Sequence, residues 1–597
     1  MGPLMTTGLA AESQHMVTPT PEEVCAQLDK LVQSRLFARS GRMCRFLRFA
    51  VEHALAGTGD QIKEYSVGVE VFDRRHDYDP RTDPIVRVEA RRLRQKLRAY
   101  YKSEGQNDSI VIEFPKGAYM PVFGSPVAGS DERQAEAVQT AIAVLPFANL
   151  SPEAGDDYFS DGLTEELILL LTRVKELRVV AWYSASQFRG REQELRAIRE
   201  ELKVGVVLRG SVRRTDSRVR VMAQLIDTGS GAYLWSEGFD RSTRDVLAIQ
   251  EEIARAIVGT LRLALDFAGV KVTATRKLNV ECYNLCLQAR FHARGRTSTG
   301  LLKSLECYQR AIEKDPGSSP AHEGLADTYG LLADYGVRHP KDVMPQAEAA
   351  ARTALELDPN SAEASAALAY IRSLFDWKWQ EAEALYRRAI ALNPGSSKAR
   401  HWFGTDFLAL LGRFDEAERE IQRARELDPL SVIIHEGSPY MRTLRRDYEG
   451  ALHGFQQLRD LDSNFYKAYS GMGRVFSLMG RYDEAIAMFQ EALRIAGDIP
   501  NIRGALAQTL ALAGRREEAL LCLEELHVTA GARYVPSTCF AIAHIGLGEW
   551  DQSLDWLETA CDNHELPVTL MKTHPVYDPL RSHARFKSCL ARLGFLP

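Results

Sequence analysis

From Ser304 to Ser553 the chain repeats itself, and that period restricts the possible fold more than any other feature. Small residues recur at Ser304, Ala347, Ala382, Ala417, Ala451, Ala485, Ala519 and Ser553. The first interval is 43 residues and every later one is 34 or 35. Seven positions after each stands a second small or compact residue: Ala311, Ala354, Ala389, Ala424, Leu458, Ala492, Leu526 and Ala560. Seven residues span two helical turns, so each pair shares one face of a helix. Small side chains on that face let a partner helix approach, and Tyr308, Tyr386, Ile421, Phe455 and Phe489 fill the space between. Several units close on Asp315-Pro316, Asp358-Pro359, Asn393-Pro394 or Asp428-Pro429, where proline cannot continue a helix. The long first interval holds an insertion of roughly nine residues around LLADYGVRHPKDVM. Units of this length bury their apolar faces only by stacking on neighbours, so the expectation is a solenoid of helix pairs.

Residues 470–492 carry the pattern most fully, with Gly473, Phe476, Gly480, Ala485, Phe489 and Ala492. The pattern resembles the tetratricopeptide repeat (TPR) over about residues 280–560, so residues 271–597 are expected to form a TPR superhelix with a C-terminal cap. The resemblance implies a concave groove that takes a protein or peptide partner. GMGRVFS (471–477) begins like a dinucleotide loop, but Phe476 replaces the third glycine and no strand precedes it. Its glycines read as helix-packing positions.

Residues 140–270 alternate in type. AIAVLPF (141–147), LRVVAW (177–182), VGVVLRGSVRR (204–214), RVRVMAQLID (218–227) and AYLWSEGFD (232–240) read as strands. GLTEELILLLTRV (162–174), REQELRAIREEL (191–202) and VLAIQEEIARAIVGTL (246–261) read as helices, which makes an α/β domain. Ser160 or Asp161 is placed to cap the first helix, while Asp161, Glu165 and Glu166 would repel an anion there. IAVLPFANLSPEAGDDYFSDGLTEELILLLTRV and VGVVLRGSVRRTDSRVRVMAQLIDTGSGAYLWSEGFDR resemble the TolB-amino-terminal-like domain, which occurs ahead of TPR arrays in bacterial proteins. Some proteins of that architecture also carry a cyclase domain, and no segment here is expected to hold one.

The charge of the chain is −5, yet residues 20–125 hold 18 Lys and Arg against 15 Asp and Glu. Thr20-Pro21-Glu22-Glu23 has capping-box spacing with proline at the first helical position. A second helix is expected from Ser40 to Gly57, then the basic stretch PIVRVEARRLRQKLRAYY (84–101), then two short strands within SIVIEFPKGAYMPVF (109–123). On a helical wheel Val86, Ala90, Leu93, Leu97 and Tyr100 share a core-facing side. Arg87, Arg91, Arg94 and Arg98 form a stripe beside it, with Arg92 and Lys96 on the other shoulder and only Glu89 to pair with. Two basic shoulders suit phosphate rails on either side of a major groove. Residues 62–123, with R-R-L-R-x-K-L and Gly117-Ala118-Tyr119, resemble the end of the OmpR/PhoB-type winged helix. The resemblance implies that residues 20–125 form a winged-helix-like head with DNA as its partner. Arg87, Arg91, Arg92, Arg94, Lys96, Arg98 and wing-tip Lys116 would then make the contacts. A protein-docking head on a scaffold that binds no DNA is the alternative.

Residues 1–19 lack a basic segment followed by an apolar one and are expected to be a disordered leader, and residues 126–139 a linker. No apolar run approaches the roughly 18 residues that cross a bilayer, so the chain reads as cytoplasmic, with no membrane contact. P-loop, G-x-S-x-G and H-E-x-x-H motifs are absent, and the histidines lack ligand spacing. The nine cysteines, Cys25, Cys44, Cys282, Cys286, Cys307, Cys522, Cys539, Cys561 and Cys589, contain no C-x-x-C pair and read as buried thiols. No catalysis, cofactor or metal is expected.

Overall fold

The computed structural model describes residues 19–595 apart from 39, 59–61, 75–77, 79–84, 107, 115–118, 125–140, 152–156, 173, 175–176, 216, 243–248, 250–251, 258 and 261–278. The chain divides into two compact units, Met1–Glu136 and Ala137–Pro597. The expected leader and linker lie almost wholly outside the described residues.

The first unit runs α1 (Pro21–Gln33), α2 (Gly41–Leu55), α3 (Glu64–Glu70), α4 (Ile85–Lys102), β1 (Val111–Glu113) and β2 (Val122–Gly124). The capping box at Thr20 is formed in both directions, the Glu23 carboxylate accepting from the Thr20 amide at 2.8 Å. Ser40 stands at the start of α2, but its side chain makes no cap bond. Gly57 stops that helix at φ +73°, as its position predicts. The short helix α3 carries no signal in the periodicity. β1 and β2 pair antiparallel, Ile112 facing Phe123, so helices followed by a hairpin is the observed order. Phe46, Leu47, Val51, Val86, Leu93, Leu97 and Ile112 form the core. Buried Asp108 ties α1 to the end of α4. It accepts from Gln27 at 2.6 Å and from the Tyr100 hydroxyl at 2.8 Å, and it pairs with Lys30. Burial works against that carboxylate, but these donors outweigh it and hold the group below its usual range.

In the second unit β3 (Ala141–Val144) pairs parallel with β5 (Arg178–Val179) and β6 (Val206–Arg214), and β4 (Ala148–Asn149) also lies beside β6. β6, β7 (Arg218–Asp227) and β8 (Tyr233–Ser242) form the expected antiparallel meander, giving the order β5-β3-β6-β7-β8. Helix α5 (Asp157–Thr172) and residues 252–257 cover one face of the sheet. Short α6 (Trp182–Ser186) and α7 (Leu195–Leu202) cover part of the other. The strand expected over 177–182 is only two residues long, because Trp182 already begins α6.

Eight helix pairs follow: α8 (Val280–Ala293) with α9 (Ser298–Lys314), α10 (Ser319–Asp334) with α11 (Pro340–Leu357), α12 (Ala362–Leu374) with α13 (Trp379–Leu392), and α14 (Ser397–Phe403) with α15 (Phe414–Leu427). The others are α16 (Val432–Leu444) with α17 (Tyr448–Leu461), α18 (Tyr466–Leu478) with α19 (Tyr482–Ala496), α20 (Pro500–Leu512) with α21 (Arg516–Ala532), and α22 (Ser537–Leu547) with α23 (Trp550–Asp562). Every small residue of the 34-residue period lies on the second helix of a pair and is buried, as is its partner seven positions later. The Asp-Pro and Asn-Pro ends have a clear task. Asp315, Asp358 and Asn393 accept from the amide two residues on at 3.0–3.1 Å, closing a turn that starts the next helix. The glycines of 471–477 are packing positions, for a Cβ on Gly471 would stand 2.3 Å from the Phe455 ring. The insertion at 331–344 is absorbed mainly by longer helices. α10 and α11 run 16 and 18 residues, with only residues 335–339 between them.

After α23 come two 3₁₀ segments, Leu566–Lys572 and Pro575–Leu580, and α24 (Ala584–Arg592). They do not simply cover the last repeat. The Trp379 indole donates to the Leu593 carbonyl at 2.7 Å, and His564 stacks on Trp377 at 4.4 Å. Arg446 grips Asp578 with two bonds of 2.8 Å. The C-terminal segment therefore returns to the third and fifth pairs and closes the superhelix on itself.

Candidate functional site

The DNA-contact residues expected from the sequence lie in the first unit. α4 buries Val86, Ala90, Leu93, Leu97 and Tyr100 as its spacing predicts. The side chains of Arg87, Arg91 and Arg98, and all of Lys116, lie outside the described residues. The three described basic side chains are engaged within the head. Arg92 is exposed but pairs with Glu89 at 2.7 Å. Arg94 donates from Nε to the Phe114 carbonyl at 3.0 Å. Lys96 bonds the Ser40 hydroxyl and lies 5.6 Å from the centre of the Phe37 ring.

In the second unit the expected cap at Ser160 or Asp161 is corrected: α5 begins at Asp157, and both residues are buried inside it. The acidic face serves another purpose, which no local pattern could reveal. Arg294, just past α8, bonds Asp161 and Glu165 at 2.7 Å each. Its guanidinium also lies 4.4 Å from the centre of the Trp182 ring. Arg290 pairs with Glu166, and Arg189 with Asp161. Leu287 sits so close to α5 that a Cβ on Gly162 would stand 2.5 Å from it. A second contact lies at the fourth repeat. The Ala181 amide donates to the Leu427 carbonyl at 2.9 Å, and the Ser184 amide to buried Asp428 at 3.0 Å. The α/β domain is thus seated against the first and fourth pairs of the array.

The first helices of successive pairs turn one face inward around a cavity of about 580 Å³. That volume is within the roughly 300–1,000 Å³ of ordinary ligand sites. Tyr370, Trp402, Tyr440 and Tyr466 supply an aromatic wall, with the Tyr370 and Trp402 rings 4.9 Å apart. Leu566, Leu570, His574 and Tyr577 of the returning C-terminal segment line it too, so part of the groove is filled by the chain itself. Tyr335, Val337 and Pro340 of the insertion also belong to the lining.

The charges on this wall are incompletely matched. Glu436 holds Lys467 at 3.4 Å, Arg533 holds Asp498 at 3.0 Å, and Asp327 pairs with Lys398. Among the described residues no carboxylate stands within ion-pair distance of Arg296 or Arg474. No described cation stands so near Asp334 or Asp406, although Arg296 and Lys467 act on Asp334, and Lys467 on Asp406, at longer range. Arg474 makes one long bond, 3.4 Å to the Asn501 carbonyl, and burial draws its pKa below the usual range. Asp406 stands on a π-helical turn, Gly404–Leu408, and takes the Thr405 hydroxyl at 2.9 Å. Burial, then the like charge of Asp334, pushes its carboxyl up to about 7. His401 and His574 are held neutral, burial drawing each down to about 3. The Nδ1 of His401 is buried without a partner among the described residues.

Six cysteines are buried, Cys44 and Cys522 are half-buried, and Cys25 is exposed, contrary to a uniform burial of the thiols. Among the described residues no helix is long and apolar enough to cross a membrane.

Comparison with known proteins matches residues 464–527 to the tetratricopeptide repeat, and the array carries such repeats. A Rhizobium meliloti (strain 1021) protein named "Putative adenylate cyclase 3" is 37% identical over 187 residues, 31% of this chain. The match spans 32% of that protein's own length. Among solved structures, a tetratricopeptide repeat protein from Parabacteroides merdae ATCC 43184 is 15% identical, over 46% of this chain and 100% of its own, with a TM-score of 0.34. Pseudomonas aeruginosa pilF is 21% identical over 34% of this chain and 91% of its own, with a TM-score of 0.27.

Proposed function

We propose that the chain is a protein-interaction scaffold that holds a segment of a partner protein against the inner wall of its TPR array. The observation that carries this reading is the cavity of about 580 Å³ with aromatic walls and unmatched charge. A wall built only for stability would pair its charges directly or replace them with apolar groups, since a partly desolvated charge without a direct partner is costly. The reading is of binding rather than catalysis, in a cytoplasmic setting. The TolB-like reading of residues 140–270 makes that domain the brace of the array, which fits its seat on the first and fourth pairs. Photo-reactive groups on the inner wall should form adducts with a defined partner protein, and adducts confined to the outer surface would refute the reading.

A second reading keeps a winged-helix-like head with DNA as its partner. It is favoured by α4, whose apolar face is buried as a recognition helix requires. Arg94 and Lys96, each bonded within the head, weigh against it. Fluorescence anisotropy of the full chain on mixed duplex DNA tests it. Each arginine that meets a phosphate should add about 0.9 to the fall of log affinity with log salt. Changing Arg87, Arg91 and Arg98 together to glutamate should abolish binding. A wild-type chain with no affinity at low salt leaves the scaffold alone standing.

A further inference from the structure

The cavity holds groups of both signs that no direct ion pair engages among the described residues, and that arrangement names a ligand class. Arg474 sits on the inner face of α18 with Lys467, Ser470 and Gly471, one and two turns away on the same helix. Lys467 is spoken for by Glu436, whereas Arg474 spends its fork of donors on one carbonyl. Tyr440 and Tyr577 beside it can hydrogen-bond an anion, and the nearest acidic influence, Glu436, is bonded to Lys467 and acts on the guanidinium only from beyond ion-pair distance. A carboxylate entering beside Arg474 would replace lost solvation with charge-assisted hydrogen bonds. Elsewhere on the wall Asp406 and the more exposed Asp334 flank Tyr370 with no direct ion pair among the described residues, Lys467 and, for Asp334, Arg296 acting only at longer range. That setting, carboxylate beside aromatic face, suits an ammonium group. The returning segment contributes His574 and Tyr577 to the lining and takes up part of the groove, which favours a short ligand.

We propose that the cavity binds a short zwitterionic peptide, its carboxylate on Arg474 and its amine at Asp406 and Asp334. Two sources share this chemistry: a free small peptide, and the C-terminal residues of a partner protein that carry a lysine. The inference rests on the inner wall being the ligand surface.

Four probes test it by isothermal titration calorimetry on the full chain. Ala-Phe-Ala represents the free peptide, and N-acetyl-Lys-Phe-Ala the tail of a partner. N-acetyl-Ala-Phe-Ala lacks the amine, and Ala-Phe-Ala amide lacks the carboxylate. At least one of the first two should bind, and removing either charge should weaken it by about tenfold or more, the worth of a hydrogen bond to a charged group. The tighter of the first two identifies the source. In Arg474→Met the free acid and the amide should bind alike, and in Asp406→Asn the free and acetylated amines should bind alike. Arg474→Lys should recover part of the preference for the acid. The wild-type comparison stands even if a variant fails to fold. Equal binding of all four probes, or none at millimolar concentration, overturns the inference. Adducts from the wall with no binding of the probes would sink this inference while sparing the scaffold reading.

Discussion

Ala485→Arg should lower the stability of the array by about 3 kcal/mol or more, through overpacking together with burial of a charge. Ala485 is fully buried on α19, among Met472, Phe489 and Ile486, where the two helices of the sixth pair touch. An arginine there has no route to solvent without parting α18 from α19. Each pair depends on its neighbours, so damage should appear first in residues 466–496 and spread to adjoining pairs. Hydrogen exchange followed by mass spectrometry should show lost protection there, with the first unit unchanged. Uniform loss across both units, or no loss, would mean that the repeat positions do not have the packing role their burial implies.

Arg294→Ala should release the α/β domain from the first repeat, at a cost of about 3 kcal/mol, as when one partner of a buried ion pair is removed. It leaves Glu165 without its partner, Asp161 with Arg189 alone, and the Trp182 ring uncovered. Exchange should rise in residues 157–172 and 280–293 while the second contact, Ser184 on Asp428, still holds. Glu165→Gln added to Arg294→Ala should restore part of the loss, because the uncompensated charge is then gone. A single variant with wild-type melting and exchange would show that the arginine only decorates a contact held by Leu287 and Gly162.

Why some of this was legible in the sequence and some not follows from the range of each interaction. The repeat spacing reports contacts within one pair or the next, so Ala382, Ala417 and Ala485 marked the helix contacts directly. The core side of α4 was equally plain, because Val86, Leu93 and Leu97 obey one helical period. Arg294 and Glu165 are 129 residues apart, and nothing local distinguishes an acidic helix face that meets solvent from one that meets an arginine. Asp161 therefore read as a cap. The return of the C-terminal segment was hidden for the same reason, since Trp379 and Leu593 lie 214 residues apart. Asp406 and Arg474 carry no motif at all. They matter through the curvature that brings the π-helical turn after α14 and helix α18 round one cavity, although a charged residue on the inward face of a repeat is a signal that could have been sought.

The central claim is that the inner wall of the array is where a partner binds. The most direct measurement places a photo-reactive phenylalanine at Ile433, on that wall, and in a second protein at Val528, 72% exposed on α21. After irradiation in cells, adducts are identified by mass spectrometry. A defined partner protein should be joined at Ile433 and absent at Val528, and Arg474→Met should diminish the Ile433 adduct. Adducts at Val528 alone, or none at Ile433 in a folded protein, would contradict the account.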